Sequence, residues 1–312
     1  MKFRILFFLC FVHVGLFAQV DVPKVKYGSI ERLQGFGTLV DSRNIDVWLP
    51  PGYSPSKKKY PVLYLHDGQM LFDSNLTWNK QEWAIDEKLG TAMLEGKLPE
   101  FIVVGIWNNG SKRRSEYLPQ KALKVMNIRG KEFVLSAKKD TMLELFEFPL
   151  SANQYLKFLV DELKPKIDSK YSTLDDSSHT FIGGSSMGGL ISLYAICEYP
   201  SVFGGAICMS THWPGLFYKN QQLNPFPESM FEYLKSKIPT RMGHKIYFDC
   251  GDQTLDSLYL PFQRRADDIC KNKGYSSELG NFLSEFFPGQ NHSEVAWSLR
   301  ITDAAIFMMT AK

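Results

Sequence analysis

Apolar residues along the chain fall into two alternating kinds of segment. Short, nearly continuous apolar runs occupy Pro61–His66, Phe101–Ile106, Thr180–Ile182, Gly205–Met209, Ile246–Cys250 and Leu283–Phe287. Runs of that length predict strands buried on both faces, as in a parallel sheet. Between them, helical spacing of apolar positions predicts helices over about 79–94, 152–170, 187–198, 258–272 and 293–309. Strand and helix in repeated alternation specify an α/β fold with a doubly wound, mostly parallel sheet and helices on both faces. Upstream, Gly35–Asp41 and Asn44–Leu49 read as strands joined by a polar turn at Ser42-Arg43, and Pro50-Pro51-Gly52 ends the second. The chain shows no internal repeat and no low-complexity linker. Residues 34–312 therefore read as one domain, with 19–33 as a leader segment.

Two segments break the rhythm. Lys121–Phe148 is charged and irregular, and Ser210–Pro227 is rich in aromatics and turn formers. Insertions at strand ends of a doubly wound sheet line or cover its site.

The N-terminus follows another rule. Met1-Lys-Phe-Arg4 is basic, Ile5–Phe17 is almost wholly apolar, and Ala18-Gln19 follows. That order describes a secretory signal peptide over residues 1–18. The apolar run is too short to span a bilayer comfortably, and no other segment is long and apolar enough. The expectation is an exported protein, periplasmic or secreted, with no stable membrane insertion after cleavage.

Composition adds exclusions. With 44% hydrophobic and 22% charged residues over 312, and a net charge of +3, the chain is ordinary globular protein. The charge is too mild, and too little clustered with aromatics, for a nucleic-acid surface. Cys197, Cys208, Cys250 and Cys270 each sit in an apolar segment and read as buried free thiols. No CxxC and no Cys/His spacing suits zinc, so no metal is expected.

The chemistry concentrates in Gly184-Ser185-Ser186-Met187-Gly188, a G-x-S-x-G sequence between a predicted strand and a predicted helix. In that setting the chain reverses sharply and the serine stands proud of the sheet edge. Only Ser186 has glycine two residues before and two after it. Ser185 would need glycine where Met187 stands. A serine needs a base. His13 lies in the signal segment, and His179 and His244 stand at strand starts, on the wrong edge of the sheet. His66 and His212 precede the acid candidates. His292 follows the last strand, in Pro288-Gly-Gln-Asn-His-Ser-Glu294, and can reach the C-terminal edge. The base needs a carboxylate, expected in the loop after the preceding strand, where Asp252 and Asp256 compete. Asp256 is preferred, although it also reads as a helix cap. The chain order Ser186, Asp256, His292 is that of α/β-hydrolases. Two backbone donors must form the oxyanion hole. Met187 is expected to give one, and Gln69, or alternatively Met70, the other.

Four stretches carry a resemblance: Val47-Trp-Leu-Pro-Pro-Gly-Tyr53, Tyr60-Pro-Val-Leu-Tyr-Leu-His-Asp-Gly-Gln69, Gly183-Gly-Ser-Ser-Met-Gly-Gly189 and Asn291-His-Ser-Glu-Val-Ala-Trp297. From about residue 34 onward the chain resembles the putative-esterase family. That family includes esterase D-like enzymes, feruloyl and acetylxylan esterases of the first carbohydrate-esterase family, and esterases related to enterochelin esterase. The resemblance implies an α/β-hydrolase fold and a Ser-Asp-His triad acting through an acyl-enzyme, without cofactor. Gly251–Asp256 is similar to the family's acid loop, which supports Asp256. Arg113-Arg-Ser-Glu-Tyr117 is similar to a family element that braces loops near the site.

Among the tryptophans 78, 83, 107 and 213, Trp213 lies just past a strand C-end in Ser210-Thr-His-Trp-Pro-Gly215. It is expected, with His212, to contact substrate. The expected partner is a small-molecule or polysaccharide ester: an acetyl or feruloyl group on carbohydrate, or a siderophore ester. The alternatives are an acyltransferase using the same triad and a non-catalytic carbohydrate-binding relative.

Overall fold

The computed structural model describes residues 21–138, 144–216, 223–240 and 243–310. The expected signal segment, 1–18, lies outside the described residues. The strands are β1 (Ser29–Phe36), β2 (Arg43–Leu49), β3 (Val62–His66), β4 (Ile102–Ile106), β5 (Thr180–Ser185), β6 (Gly205–Met209), β7 (Lys245–Cys250) and β8 (Phe282–Phe286). They form one sheet in the order β1-β2-β4-β3-β5-β6-β7-β8. β1 and β2 pair antiparallel, as do β2 and β4, and every other pair is parallel.

The apolar runs became the central strands because both of their faces are covered. Alternate side chains go to opposite layers. On β3, Val62 and Tyr64 join one core, and Leu63 and Leu65 the other. The helices are α1 (Ile85–Leu94), α2 (Arg113–Tyr117), α3 (Ile128–Leu135), α4 (Ala152–Phe158), α5 (Lys164–Lys170), α6 (Met187–Glu198), α7 (Phe226–Lys237), α8 (Leu260–Asn272) and α9 (Glu294–Met309). α1 and α9 cover the face holding Leu63 and Leu65, and α4, α6, α7 and α8 cover the other. α6 is buried on nearly every side, which explains its lack of a polar stripe. Cys197, Cys208, Cys250 and Cys270 are buried and free, and no described helix is long and apolar enough to cross a membrane.

Some boundaries depart from the sequence pattern. The strand expected over Gly35–Asp41 is instead β1, which begins at Ser29 inside the expected leader, ends at Phe36 and pairs with β2 from Ser29↔Leu49 onward. It is an edge strand with no buried residue, so its apolar signal is weak. The helix expected from 79 begins only at Ile85. Lys80 and Ala84 have φ of 57° and 51°, and Trp83 and Ile85 donate their N–H groups to Met70 and Leu71 carbonyls. Residues before α1 are thus drawn back onto the loop after β3. The helix expected over 152–170 is α4, a π-helical turn at Leu159–Leu163 and α5. Pro165, which has no N–H to donate, stands just past that turn. α7 begins only at the end of the irregular Ser210–Pro227 segment, at a pair of prolines, Pro225 and Pro227, where missing N–H groups cost nothing.

Chain direction sets the site. From β3 the chain passes to β4 on one side, and from β5 to β6 on the other. Loops leaving the C-ends of β3 and β5 therefore diverge and leave a crevice between them.

Candidate active site

Ser186 joins β5 to α6 with φ 57° and ψ −122°, a conformation that side-chain-bearing residues rarely adopt. Its N–H donates to the Met209 carbonyl at 2.9 Å, and its own carbonyl accepts from Leu190 and His212, each at 3.1 Å. The turn is pinned from both sides. Gly184 and Gly188 meet across it: a Cβ on Gly184 would stand 3.0 Å from the Gly188 carbonyl carbon. Close approach of backbone therefore accounts for the glycine spacing. Ser185 is buried, whereas Ser186 is half-exposed. Ser186 opens into a cavity of about 300 Å³ lined also by Gln69, Asn108, Arg113, Trp78, His292 and Trp297.

His292 enters from the loop between β8 and α9. Its Nδ1 lies 2.6 Å from Asp256 Oδ1. Its ring packs edge-on against Trp297 and Tyr259, with centroids 4.9 and 5.6 Å away. The loops carrying Asp256 and His292 lie backbone to backbone. Asp252 and Gln253 N–H groups both donate to the Gln290 carbonyl, at 3.1 and 3.0 Å. A Cβ on Gly251 would come 2.1 Å from that same oxygen, so the contact requires glycine. The other Asp256 oxygen, Oδ2, accepts from Gly251 N–H at 2.7 Å and from Ser210 Oγ at 2.6 Å. Burial opposes ionisation of Asp256, but the hydrogen bond and charge of His292, with these two donors, hold its carboxyl below the usual range. Asp252, the competing acid, instead accepts from Gly289 N–H at 2.8 Å and braces the histidine loop.

The loop after β3 supplies the opposite wall. Asp67 has φ 59° and starts a 3-10 turn, Gly68–Met70. Met70 N–H donates to the Asp67 carbonyl at 2.8 Å. That amide is committed within the turn, which favours Gln69 over Met70 as the second oxyanion donor. Met187 is the first residue of α6, and the first amides of a helix have no partner inside it. Arg113 forks onto both Asp67 oxygens at 2.6 Å each, and Asn108 adds a third bond at 2.7 Å. Burial opposes the Asp67 charge, yet Arg113 holds the carboxyl below its usual range.

Two expected substrate contacts are corrected. Trp213 is fully buried, packed on Phe231 and Phe248, with its indole N–H on Gln263. His212 is buried too, its Nδ1 2.6 Å from the Tyr259 hydroxyl. The loop after β6 turns inward because the His212 amide bonds to Ser186. Both side chains therefore lie beneath the turn and outside the cavity. Trp78, Trp83 and Trp297 line it instead, and Trp78 is 84% exposed at its rim. The other described histidines stay away from it. His66 is buried against the Tyr155 hydroxyl at 2.8 Å, and His179 and His244 border a separate hollow near the strand starts. Sequence reasoning missed Ser210, Asp67, Asn108 and Trp297. The available signal was position, since Asp67, Asn108 and Ser210 each fall just past a strand C-end.

Comparison with known proteins places the chain in a family. Residues 37–308 match the family model described as "Putative esterase". The chain is 27% identical over 163 residues to the uncharacterized protein YbbA of Bacillus subtilis strain 168, covering 52% of this chain and 54% of that one. It is 26% identical over 206 residues to an endo-1,4-beta-xylanase/feruloyl esterase of Xylanibacter ruminicola, covering 61% of this chain and 23% of that one. The chain thus spans less than two-thirds of the length of these curated relatives. Among solved structures, the enterobactin esterase FES of Shigella flexneri superposes with a TM-score of 0.64 at 16% identity, covering 92% of this chain and 60% of that one. A likeness at that identity establishes the α/β-hydrolase fold. By the family model, which spans nearly the whole described chain, this protein belongs to the putative-esterase family, a family of carboxylic ester hydrolases.

Proposed function

We propose that the protein is an exported serine carboxylesterase in which Ser186 is the nucleophile, His292 the general base and Asp256 the carboxylate that orients it. The observation that carries this reading is the strained Ser186 turn opening into the same cavity as His292, whose Nδ1 is held from behind by the buried Asp256. His292 takes the Ser186 proton as Oγ attacks the ester carbonyl. Asp256 holds Nδ1–H, which leaves Nε2 as the proton acceptor, and stabilises the imidazolium that forms. The tetrahedral oxyanion rests on the N–H groups of Met187 and Gln69. The ester C–O bond breaks, His292 returns the proton to the departing alcohol, and an acyl group remains on Ser186. Water, deprotonated by His292, then releases the acid.

The substrate is an acyl ester on a carbohydrate, or a siderophore ester. A feruloyl esterase and an enterobactin esterase among the similar proteins support that range. So does the exposed Trp78, a flat apolar surface on which a sugar or aryl ring can stack. A solvent-facing rim supports hydrolysis over transfer. Export rests on the basic start and short apolar run of residues 1–18.

The test is turnover of p-nitrophenyl acetate, methyl ferulate, acetylated xylan and a catecholate siderophore by the mature protein and its Ser186→Ala variant. Ser186-dependent release of acid from any of them is the expected result and identifies the acyl group. Silence on all four by folded protein would shift the reading to an acyltransferase or a binding relative.

A further inference from the structure

We infer that Ser210 is a positioning residue of the triad, a hydroxyl whose single proton is forced onto Asp256 and fixes that carboxylate toward His292. The inference rests on the proposed roles of Ser186, Asp256 and His292. Ser210 lies just past the C-end of β6 and is fully buried. Its Oγ has three polar neighbours: Asp256 Oδ2 at 2.6 Å, Trp297 Nε1 at 3.0 Å and Arg300 Nη2 at 3.1 Å. An indole N–H and a guanidinium can only donate. They fill the two lone-pair positions of the hydroxyl, so its one proton has a single acceptor left, Asp256. A serine hydroxyl usually rotates to suit its surroundings, whereas here both donors forbid it.

The backbone supports the same reading. Ser210 has φ 42°, a region where glycine sits without strain and serine does not. Its N–H is shared between the Asp249 carbonyl at 2.9 Å and Asp249 Oδ1 at 3.0 Å. Arg300 stands 3.3 Å from that same Oδ1. The groups facing Ser210 are therefore Asp256 from the acid loop, Asp249 from β7, and Trp297 and Arg300 from α9. Opposite charges alternate through the hydroxyl: Asp249, Arg300, Ser210, Asp256, His292. A strained serine kept where glycine would relax indicates that the hydroxyl itself is needed.

Loss of the hydroxyl frees Asp256 Oδ2 from one of its two donors, concentrates charge on the carboxylate and loosens its aim. Ser210→Ala and Ser210→Gly are measured on p-nitrophenyl acetate beside the native protein and Ser186→Ala. Both Ser210 variants should lower kcat about 10- to 100-fold, the usual effect of removing a partner that orients a reacting group. KM should stay within about twofold, because Ser210 does not line the cavity. The acidic limb of the kcat/KM profile should move to higher pH, since a more basic carboxylate favours the protonated base. Glycine relaxes the backbone at 42°, so an equal loss in both variants assigns the effect to the hydroxyl. Native kcat and an unmoved acidic limb in either folded variant would overturn the inference. Failure of both to fold would overturn it too, by making Ser210 a structural residue. If the native protein itself shows no Ser186-dependent turnover, the triad reading fails, which is a separate result.

Discussion

Arg113 and Asp67 form a forked ion pair, 2.6 Å at each contact, that ties the short helix α2 to the loop after β3. Asp67 is held at φ 59°, and two residues later comes Gln69, the proposed oxyanion donor. The pair therefore sets where that amide points. Lysine cannot reproduce a fork with its single ammonium. Arg113→Lys should lower kcat on p-nitrophenyl acetate about 10-fold, and Arg113→Ala about 100-fold, near what removal of one oxyanion donor costs. A change confined to KM would show that Arg113 binds substrate instead.

The two serines and the two aspartates give a paired prediction. Ser186→Ala should lower kcat by about 10⁴-fold or more, and Asp256→Asn by about 10⁴-fold. Ser185→Ala and Asp252→Asn should stay within about 10-fold, because Ser185 is buried and Asp252 only braces a loop. Steady-state rates with a circular-dichroism check of folding decide it. A reversed order within either pair would refute the assignment.

These residues differ in how visible they were in the sequence. Ser186 was legible because steric crowding at a strand–turn–helix junction dictates glycine at fixed spacing. His292 was legible because strand order alone puts its loop on the correct edge. Spacing alone left Asp256 and Asp252 open, and only the resemblance of Gly251–Asp256 to the family's acid loop favoured Asp256. What separates them is the Gly251–Gln290 contact, a meeting of loops some forty positions apart. Trp213 misled for a related reason. Position past a strand end marks the right edge of the sheet, but an amide bond from His212 to Ser186 turns that loop inward. Of the fold, the central strands were clear because burial on both faces leaves them continuously apolar. β1 was not, because an edge strand carries a weak apolar signal.

Trp78 tests the substrate class. It lines the cavity yet is 84% exposed, so it contributes little to the core. Trp78→Ala should leave kcat and KM for p-nitrophenyl acetate within about twofold. It should raise KM about 10-fold for a feruloylated or polymeric ester, the loss expected for one stacked ring. Equal KM values for the large esters would remove Trp78 from recognition.

Stability toward acid should depend on His66. The ring is fully buried, with Nδ1 on the Tyr155 hydroxyl. Burial holds its pKa down to about 3; Asp67 opposes this, and Arg113 and Arg43 reinforce it. The unfolded chain binds a proton at this residue below about pH 6.5. The folded chain binds one only near 3, so between those values the unfolded state holds more protons. Stability then falls as pH falls, by about 1.4 kcal/mol per unit well below 6.5. His212, also driven down by burial, adds a slope of the same sign. Asp249 has the opposite one, because burial raises its pKa to about 6 and the folded state gains the proton first. The informative quantity is therefore the difference between proteins. Urea unfolding at pH 6.5 and pH 5 should show His66→Asn losing about 2 kcal/mol less than the native protein over that interval. Parallel losses in the two proteins would mean that His66 is protonated in the folded state.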